Sequence, residues 1–166
     1  MGTKESLLKF LIMIIKIFTI GNKLNQWESE GIEFYTKQLP KNLEVEFINL
    51  KSQQNKSYST NEVIEKESNT IMSKIPKHEY IVAWDSNGEK ITSESFANFI
   101  LDHQRINPNI SFIIGGSFGL SATIKKRSDR VFSASLLTFP HKLFRLLLVE
   151  QIYRSHSIIN KMPYHK

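Results

Sequence analysis

The sequence predicts an α/β fold, a mostly parallel sheet with helices on both faces. Short apolar runs rich in β-branched residues alternate along the chain with longer segments of helical periodicity. Gly, Pro and Asn punctuate the joints between them. The 166 residues suit one domain, which runs to about 100–200 residues. A chain of that length buries roughly two thirds of its unfolded surface and needs no staples. Alternating strands and helices of this kind stack as a parallel sheet covered by crossover helices.

The first strand is Met13 to Ile20, ending at Gly21. It continues an apolar stretch, Leu7 to Ile20, that follows Lys4 and resembles a secretion signal. Lys9 and Lys16 interrupt that stretch. It is also shorter than the roughly 20 apolar residues of a membrane-spanning helix, and no small-residue cleavage site follows. A buried strand is the better reading. Met13 then serves as the natural start, with residues 1–12 an upstream extension or expression scar and residues 13–166 the domain.

Gln26 to Gln38, with Trp27, Ile32, Phe34 and Tyr35, reads as a helix stopped by Pro40. Leu43 to Leu50 reads as a second strand, and Lys51 to Thr60 as a polar loop. Asn61 to Lys74 is a helix ended by Pro76, and Tyr80 to Trp84 a short buried strand. Asp85-Ser86-Asn87-Gly88 is a turn signal. Ser93 caps a helix with Phe96, Phe99 and Ile100 on one face, broken at Asn107-Pro108-Asn109. Ile110 to Ile114 is the fourth strand, followed by a short helix near Ser121 to Lys126. Val131 to Leu137 looks extended, and His141 to Ile159 is the longest helix.

Composition narrows the chemistry. With no cysteine, disulfide frameworks, thiolate metal sites and cysteine nucleophiles are excluded, and a reducing compartment fits. The five histidines show no metal-ligand spacing, so no metal is expected. Lys and Arg number 22 against 16 Asp and Glu, a net charge of +6, which is compatible with an RNA or phosphate partner. Gly115-Gly116-Ser117-Phe118-Gly119 follows a strand, where α/β sheets bind ligands. It matches neither the dinucleotide fingerprint nor a P-loop, and it lacks the nucleophile elbow of a serine hydrolase. Ser133 to Phe139 precede Pro140 and a long helix, a setting for a backbone-lined pocket that takes a planar ring. His141 at that helix start is disfavoured as a cation.

Several segments together resemble one family. They are Ile113 to Leu120, Leu137-Thr138-Phe139-Pro140-His141, Arg145 with Val149 to Arg154, and Pro163-Tyr164-His165-Lys166. In this order and spacing they resemble the bacterial ribosomal RNA large subunit methyltransferase H family, a small SPOUT-class group. Met13 to Ile17 with Gly21 and Lys23 resembles that family's start.

The resemblance implies S-adenosylmethionine-dependent methylation of N3 of a pseudouridine in large-subunit rRNA, on the assembled ribosome. It also implies a C-terminal trefoil knot, a homodimer and a cytoplasmic location without membrane contact. It assigns the cofactor to Trp84, Gly115, Ala134, Ser135, Leu136, Leu137, Thr138 and Phe139, with Trp84 standing where the family usually has leucine. Removing a proton from an imide nitrogen calls for a base or a stabilising cation. His165, Tyr164 and Arg154 are the catalytic candidates, and Arg145, His141 and Lys166 the RNA-binding ones. A non-catalytic RNA-binding module and another nucleotide-binding α/β enzyme are the alternatives. The first leaves the glycine loop and pocket unexplained, and the second lacks its usual fingerprint.

Overall fold

The computed structural model describes residues 12–106 and 109–165, His165 through its backbone alone. The expected extension over residues 1–12 lies, apart from Ile12, outside the described residues, as do Lys166 and the break at Asn107-Pro108. Five strands form one sheet: β1 (Met13–Ile20), β2 (Leu43–Leu50), β3 (Tyr80–Lys90), β4 (Asn109–Ile114) and β5 (Arg130–Ser133). Their order is β2-β1-β4-β3-β5 and every strand pairing is parallel. The helices are α1 (Gln26–Thr36), α2 (Thr60–Lys74), α3 (Ser93–Ile106), α4 (Ala122–Arg127) and α5 (His141–Ile159), with a 3-10 turn at Pro163–His165.

Period-two alternation along the strands sorts their side chains onto two faces. Met13, Ile15, Ile17, Val82, Trp84, Ile110 and Phe112 pack with Ile32 of α1, Phe96 and Ile100 of α3, and Leu148, Val149 and Ile152 of α5. Phe18, Ile20, Ile81, Ala83 and Ile113 face the other way, against Ile71 of α2, Ile75 and Ile124 of α4. Each buried Val, Leu, Ile, Phe or Met among them contributes about 1.5–3 kcal/mol. The double-sided sheet therefore explains why its strands read as near-continuous apolar runs. No helix among the described residues is long and apolar enough to cross a membrane.

Local chemistry sets the boundaries. Asn25 and Ser59 open α1 and α2 with capping boxes closed by Glu28 and Glu62. Ser121 caps α4 through the Ile124 amide. Three expectations need correction. The cap of α3 is Thr92, whose hydroxyl accepts from the Ser95 amide; Ser93 is already helical and donates its hydroxyl to Gln151 at 2.7 Å. Asp85 to Gly88 do not end the third strand. β3 runs on to Lys90 with a register shift between Trp84 and Glu89 opposite Phe132, and Asp85 Oδ1 accepts from the Asn87 amide inside this bulge. Nor is Val131 to Leu137 extended throughout. β5 stops at Ser133, because the Ser133 hydroxyl donates to the Ser135 carbonyl and the Leu137 amide donates to the Ser135 hydroxyl, turning the chain.

Arg145 also departs from expectation. It is 3% exposed, and its Nη1 donates to Glu28 Oε1 and to the Asn22 carbonyl, each at 3.3 Å. Glu28 itself is fully buried and also closes the α1 cap through Oε2. An arginine committed in this way ties α5 to α1 and presents no guanidinium to an RNA phosphate. The sequence pattern marked only its helical stripe, because Glu28 lies far away in the chain.

Candidate functional site

The bulge of β3 at Trp84 to Ser86 and the carboxyl ends of β4 and β5 converge with the start of α5 on a cavity of about 300 Å³. This is the lower end of the ~300–1,000 Å³ usual for small-molecule sites. Its wall contains Trp84, Gly115, Ala134, Ser135, Leu137, Thr138 and Phe139, so seven of the eight sequence-nominated cofactor positions meet in one place. Leu136 does not line it and is 82% exposed. Asp85, Ser86, Phe132 and Phe144 line it too. Sequence reading missed these four: Asp85 and Ser86 sit in the bulge of β3, which read as a turn, and only Phe132 lies near a strand end, where ligands collect.

The glycine loop owes its shape first to itself. Gly119 adopts φ +85°, and its amide donates to the Gly116 carbonyl at 3.0 Å. A Cβ at Gly115 would sit 2.8 Å from the Gly119 carbonyl carbon. Gly115 is therefore required by the loop's own folding back, whatever occupies the cavity. The result leaves backbone at the cavity wall where side chains would otherwise fill it.

Aromatic rings form the floor. Trp84 meets Phe96, Phe112 and Phe144 edge-on, with Phe132 tilted beside it at 5.7 Å. Its indole Nε1 is buried and has no hydrogen-bond partner among the described residues. A second cavity, about 230 Å³, adjoins the first around Trp84, Ala134, Ser135, Phe139 and Phe144.

Among the described residues, the titratable groups on the main cavity wall are Asp85 and His141, with no lysine or arginine in that wall. Asp85 Oδ2 pairs with Lys125 Nζ at 2.9 Å. Burial, then the nearby positive charge of Arg145, push the His141 pKa down, so its imidazole is held neutral. Such a wall suits a cationic or neutral ligand with a planar ring. A pyrophosphate would find no lysine or arginine among the described wall residues. No metal cluster is present among the described residues.

Arg154 and Tyr164 do not line this cavity. They form a separate cluster where α5 meets α1 and the 3-10 turn. Glu150 Oε1 accepts from Arg154 Nε and Nη2, at 2.9 and 2.6 Å, and from the Tyr164 hydroxyl at 3.0 Å. The Tyr164 ring lies 4.8 Å from that of Tyr153, with the Arg154 guanidinium 5.0 Å from its centroid. Burial and the hydroxyl contacts to Tyr35 and Glu150 raise the Tyr164 pKa. The hydrogen bonds that Arg154 donates to Glu150 raise its own. Both groups thus stay protonated near neutrality. The side chain of His165 lies outside the described residues.

Comparison with known proteins agrees with this architecture. A family model described as "Predicted SPOUT methyltransferase" matches residues 13–165. The "Ribosomal RNA large subunit methyltransferase H" of Clostridium beijerinckii is 41% identical over 160 residues, covering 93% of this chain and all of that protein. Its counterpart in Caldicellulosiruptor bescii is 40% identical over 154 residues, covering 92% of this chain and all of that protein. A methylase family protein of Neisseria gonorrhoeae shares the fold at 9% identity, with a TM-score of 0.50 over 92% of this chain and 85% of that one. The chain is a member of the SPOUT methyltransferase family and, within it, of the ribosomal RNA large subunit methyltransferase H group.

Proposed function

We propose that this protein transfers the methyl group of S-adenosylmethionine to N3 of a pseudouridine in large-subunit rRNA, on the assembled ribosome in the cytoplasm. The observation that carries the reading is the ring-lined cavity at the bulge of β3 and the ends of β4 and β5, with no lysine or arginine among its described wall residues, in a chain of this family. S-Adenosylmethionine carries a sulfonium and an ammonium, which a wall with Asp85 and a neutral His141 accepts without repulsion. The unpartnered Trp84 Nε1 offers a donor to an acceptor of the bound ligand. Leaving a buried donor unmade costs about 1–3 kcal/mol.

When bound, the cofactor supplies an activated methyl group. The chain's residues hold it and meet the acceptor. Trp84, Phe132, Phe139 and Phe144 enclose the planar part, and the backbone of Gly115 and of Ala134 to Thr138 supplies polar contacts. Leu136 belongs to the same loop but faces outward. Methyl transfer needs alignment of donor and acceptor more than a strong acid. The acceptor imide must still lose a proton. His165 is assigned the handling of that proton, while Arg154 and Tyr164, on exchanging Glu150 for the substrate, offer N–H and O–H donors to the charge that develops. Because Arg154 and Tyr164 lie away from the cavity of their own chain, they act on the pocket of a second copy in a homodimer. His141 orders the pocket as a neutral imidazole. Lys166 and the basic excess of the chain hold rRNA phosphates. The C-terminal trefoil knot of the family is part of this reading.

Isothermal titration tests the cofactor, and tritium transfer to ribosomes lacking the modification tests the reaction. S-Adenosylmethionine should bind and nicotinamide dinucleotides should not. Preference for a dinucleotide would overturn the reading. So would absence of transfer to ribosomes.

A further inference from the structure

The polar loop after β2 and the glycine loop after β4 meet on the outer side of the sheet, around α2. There Phe118, 46% exposed, and Tyr58, 38% exposed, line one open groove with Lys56 and Gln54. Nothing in the proposed cofactor chemistry requires an exposed phenyl at position 118. Phe118 is absent from the cofactor cavity, while Gly115, Gly116, Ser117 and Gly119 on either side of it line that cavity. The ring therefore projects from the loop that shapes the pocket onto neighbouring surface.

The surroundings are cationic. Lys66 Nζ lies 4.7 Å from the centroid of the Tyr58 ring, and Lys51 and Lys56 of the polar loop are exposed, as are Glu62 and Glu65 of α2. Nearby Glu67 is buried and accepts from the Ser52 hydroxyl and the Gln53 amide, at 3.0 and 3.1 Å. That carboxylate pins the start of the polar loop while its charge is withdrawn from the surface. Glu62 is bound into the α2 cap through the Ser59 amide. Aromatic faces interleaved with flexible ammonium groups match the chemistry of single-stranded nucleic acid, whose bases stack while its phosphates find cations.

Resting on the rRNA reading above, we propose that Phe118 and Tyr58 form a stacking platform for unpaired bases of the RNA substrate, with Lys56, Lys66 and Lys51 holding the adjoining phosphates. The platform adjoins the glycine loop, so nucleotides held there set where the neighbouring target base enters the cavity. It acts on substrate affinity rather than on cofactor binding. Stacking of one base on an aromatic ring corresponds to a roughly 5- to 150-fold change in affinity on truncation to alanine.

The test uses full-length protein with two substrates: ribosomes lacking the modification, and a short single-stranded oligoribonucleotide. Phe118→Ala and Tyr58→Ala should each raise KM for ribosomes and weaken oligonucleotide binding by a factor in that range. Turnover at saturation and the titrated S-adenosylmethionine affinity should be unchanged. Phe118→Tyr should restore binding. Lys56→Ala should flatten the salt dependence of binding without altering base preference. If wild type methylates ribosomes and the Phe118→Ala/Tyr58→Ala double variant does so with unchanged KM and oligonucleotide affinity, the platform is overturned while the function stands. If wild type fails on ribosomes yet binds oligonucleotide through Phe118, the platform stands and the function falls. Loss of ribosome affinity with intact oligonucleotide binding would assign the face to a ribosomal protein. A shift to monomer in sedimentation would assign it to a second copy. Either outcome overturns the proposal.

Discussion

Arg145 and Glu28 are the most consequential pair at the scale of single residues. Both are buried, and each has a second obligation: Arg145 to the Asn22 carbonyl, Glu28 to the Asn25 amide. Removing one partner leaves a charge buried without its counter-ion, which typically costs about 3–5 kcal/mol. Arg145→Met should therefore lower the urea midpoint sharply, while Arg145→Met with Glu28→Leu should recover part of the loss. Equal stability of the single variant and wild type would show that the pair contributes nothing. Burial is the first cause that lowers the pKa of His103, His141 and His156. The sign follows from linkage. Above the free imidazole value, near ~6.5, neither folded nor unfolded chain binds these protons. As pH falls below it, the unfolded chain takes them up first, so stability drops until the depressed native values are passed. Urea midpoints should fall as pH drops from neutrality through the free imidazole value, and His156→Gln should lessen that fall. The sequence marked His141 as neutral through its place at a helix start. It did not reveal the Arg145–Glu28 pair, because the two are brought together only by the packing of α5 on α1.

The elements were largely legible, and where they were not, a neighbour decided. The strands declare themselves because a sheet covered on both sides demands apolar residues at nearly every position, and Pro40 and Pro76 close the helices before them. The extension of β3 past Trp84 was hidden because Asp85-Ser86-Asn87-Gly88 carries turn chemistry. Pairing with Phe132 and Ser133 of β5 converts that turn into a bulge. Gly88 is needed there, since a Cβ would lie 2.6 Å from the Phe132 carbonyl carbon. The glycine loop follows the same logic. Its sequence suggested close approach to a ligand, whereas its geometry demands close approach to itself. Gly115→Val should therefore lower thermal stability together with S-adenosylmethionine affinity, with overpacking costing about 1–3 kcal/mol. Gly119→Ala should cost about 1–2 kcal/mol for its left-handed φ alone, because the added Cβ would meet no atom within 4 Å and so brings no clash of its own. Parallel melts and titrations separate the two effects. A Gly115→Val protein with wild-type melting and no cofactor binding would return that glycine to a purely ligand-facing role.

At the scale of the whole molecule, the pocket and the C-terminal cluster lie apart on one chain. Seven positions that sequence nominated for the cofactor share a cavity, yet Arg154 and Tyr164 gather around Glu150 instead. Sequence motifs name residues without saying whether they act in the chain that carries them. Exposed leucines beside the pocket suggest how the parts meet: Leu136 is 82%, Leu137 72% and Leu143 39% exposed. Adjacent exposed leucines mark an interface, and a two-fold pair is the commonest way to close one. Wild type should sediment as a dimer at micromolar concentration, and Leu136→Glu with Leu143→Glu as a folded monomer. Complementation then decides where the tail acts. Phe139→Lys places a cation in a wall that has no lysine or arginine among its described residues and should block cofactor binding, whereas deletion of residues 164–166 removes the tail and leaves the pocket. Each variant alone should be inactive. Mixed and re-paired at random, half of the dimers combine the two chains, and each of these has one intact pocket facing one intact tail. Methyl transfer should return to about a quarter of wild type if pairing is symmetric. If the tail serves its own chain, no dimer contains a complete site and the mixture stays inactive. A silent mixture of demonstrably exchanged dimers would remove the second copy from the mechanism and require the 3-10 turn to leave Glu150 and reach its own cavity.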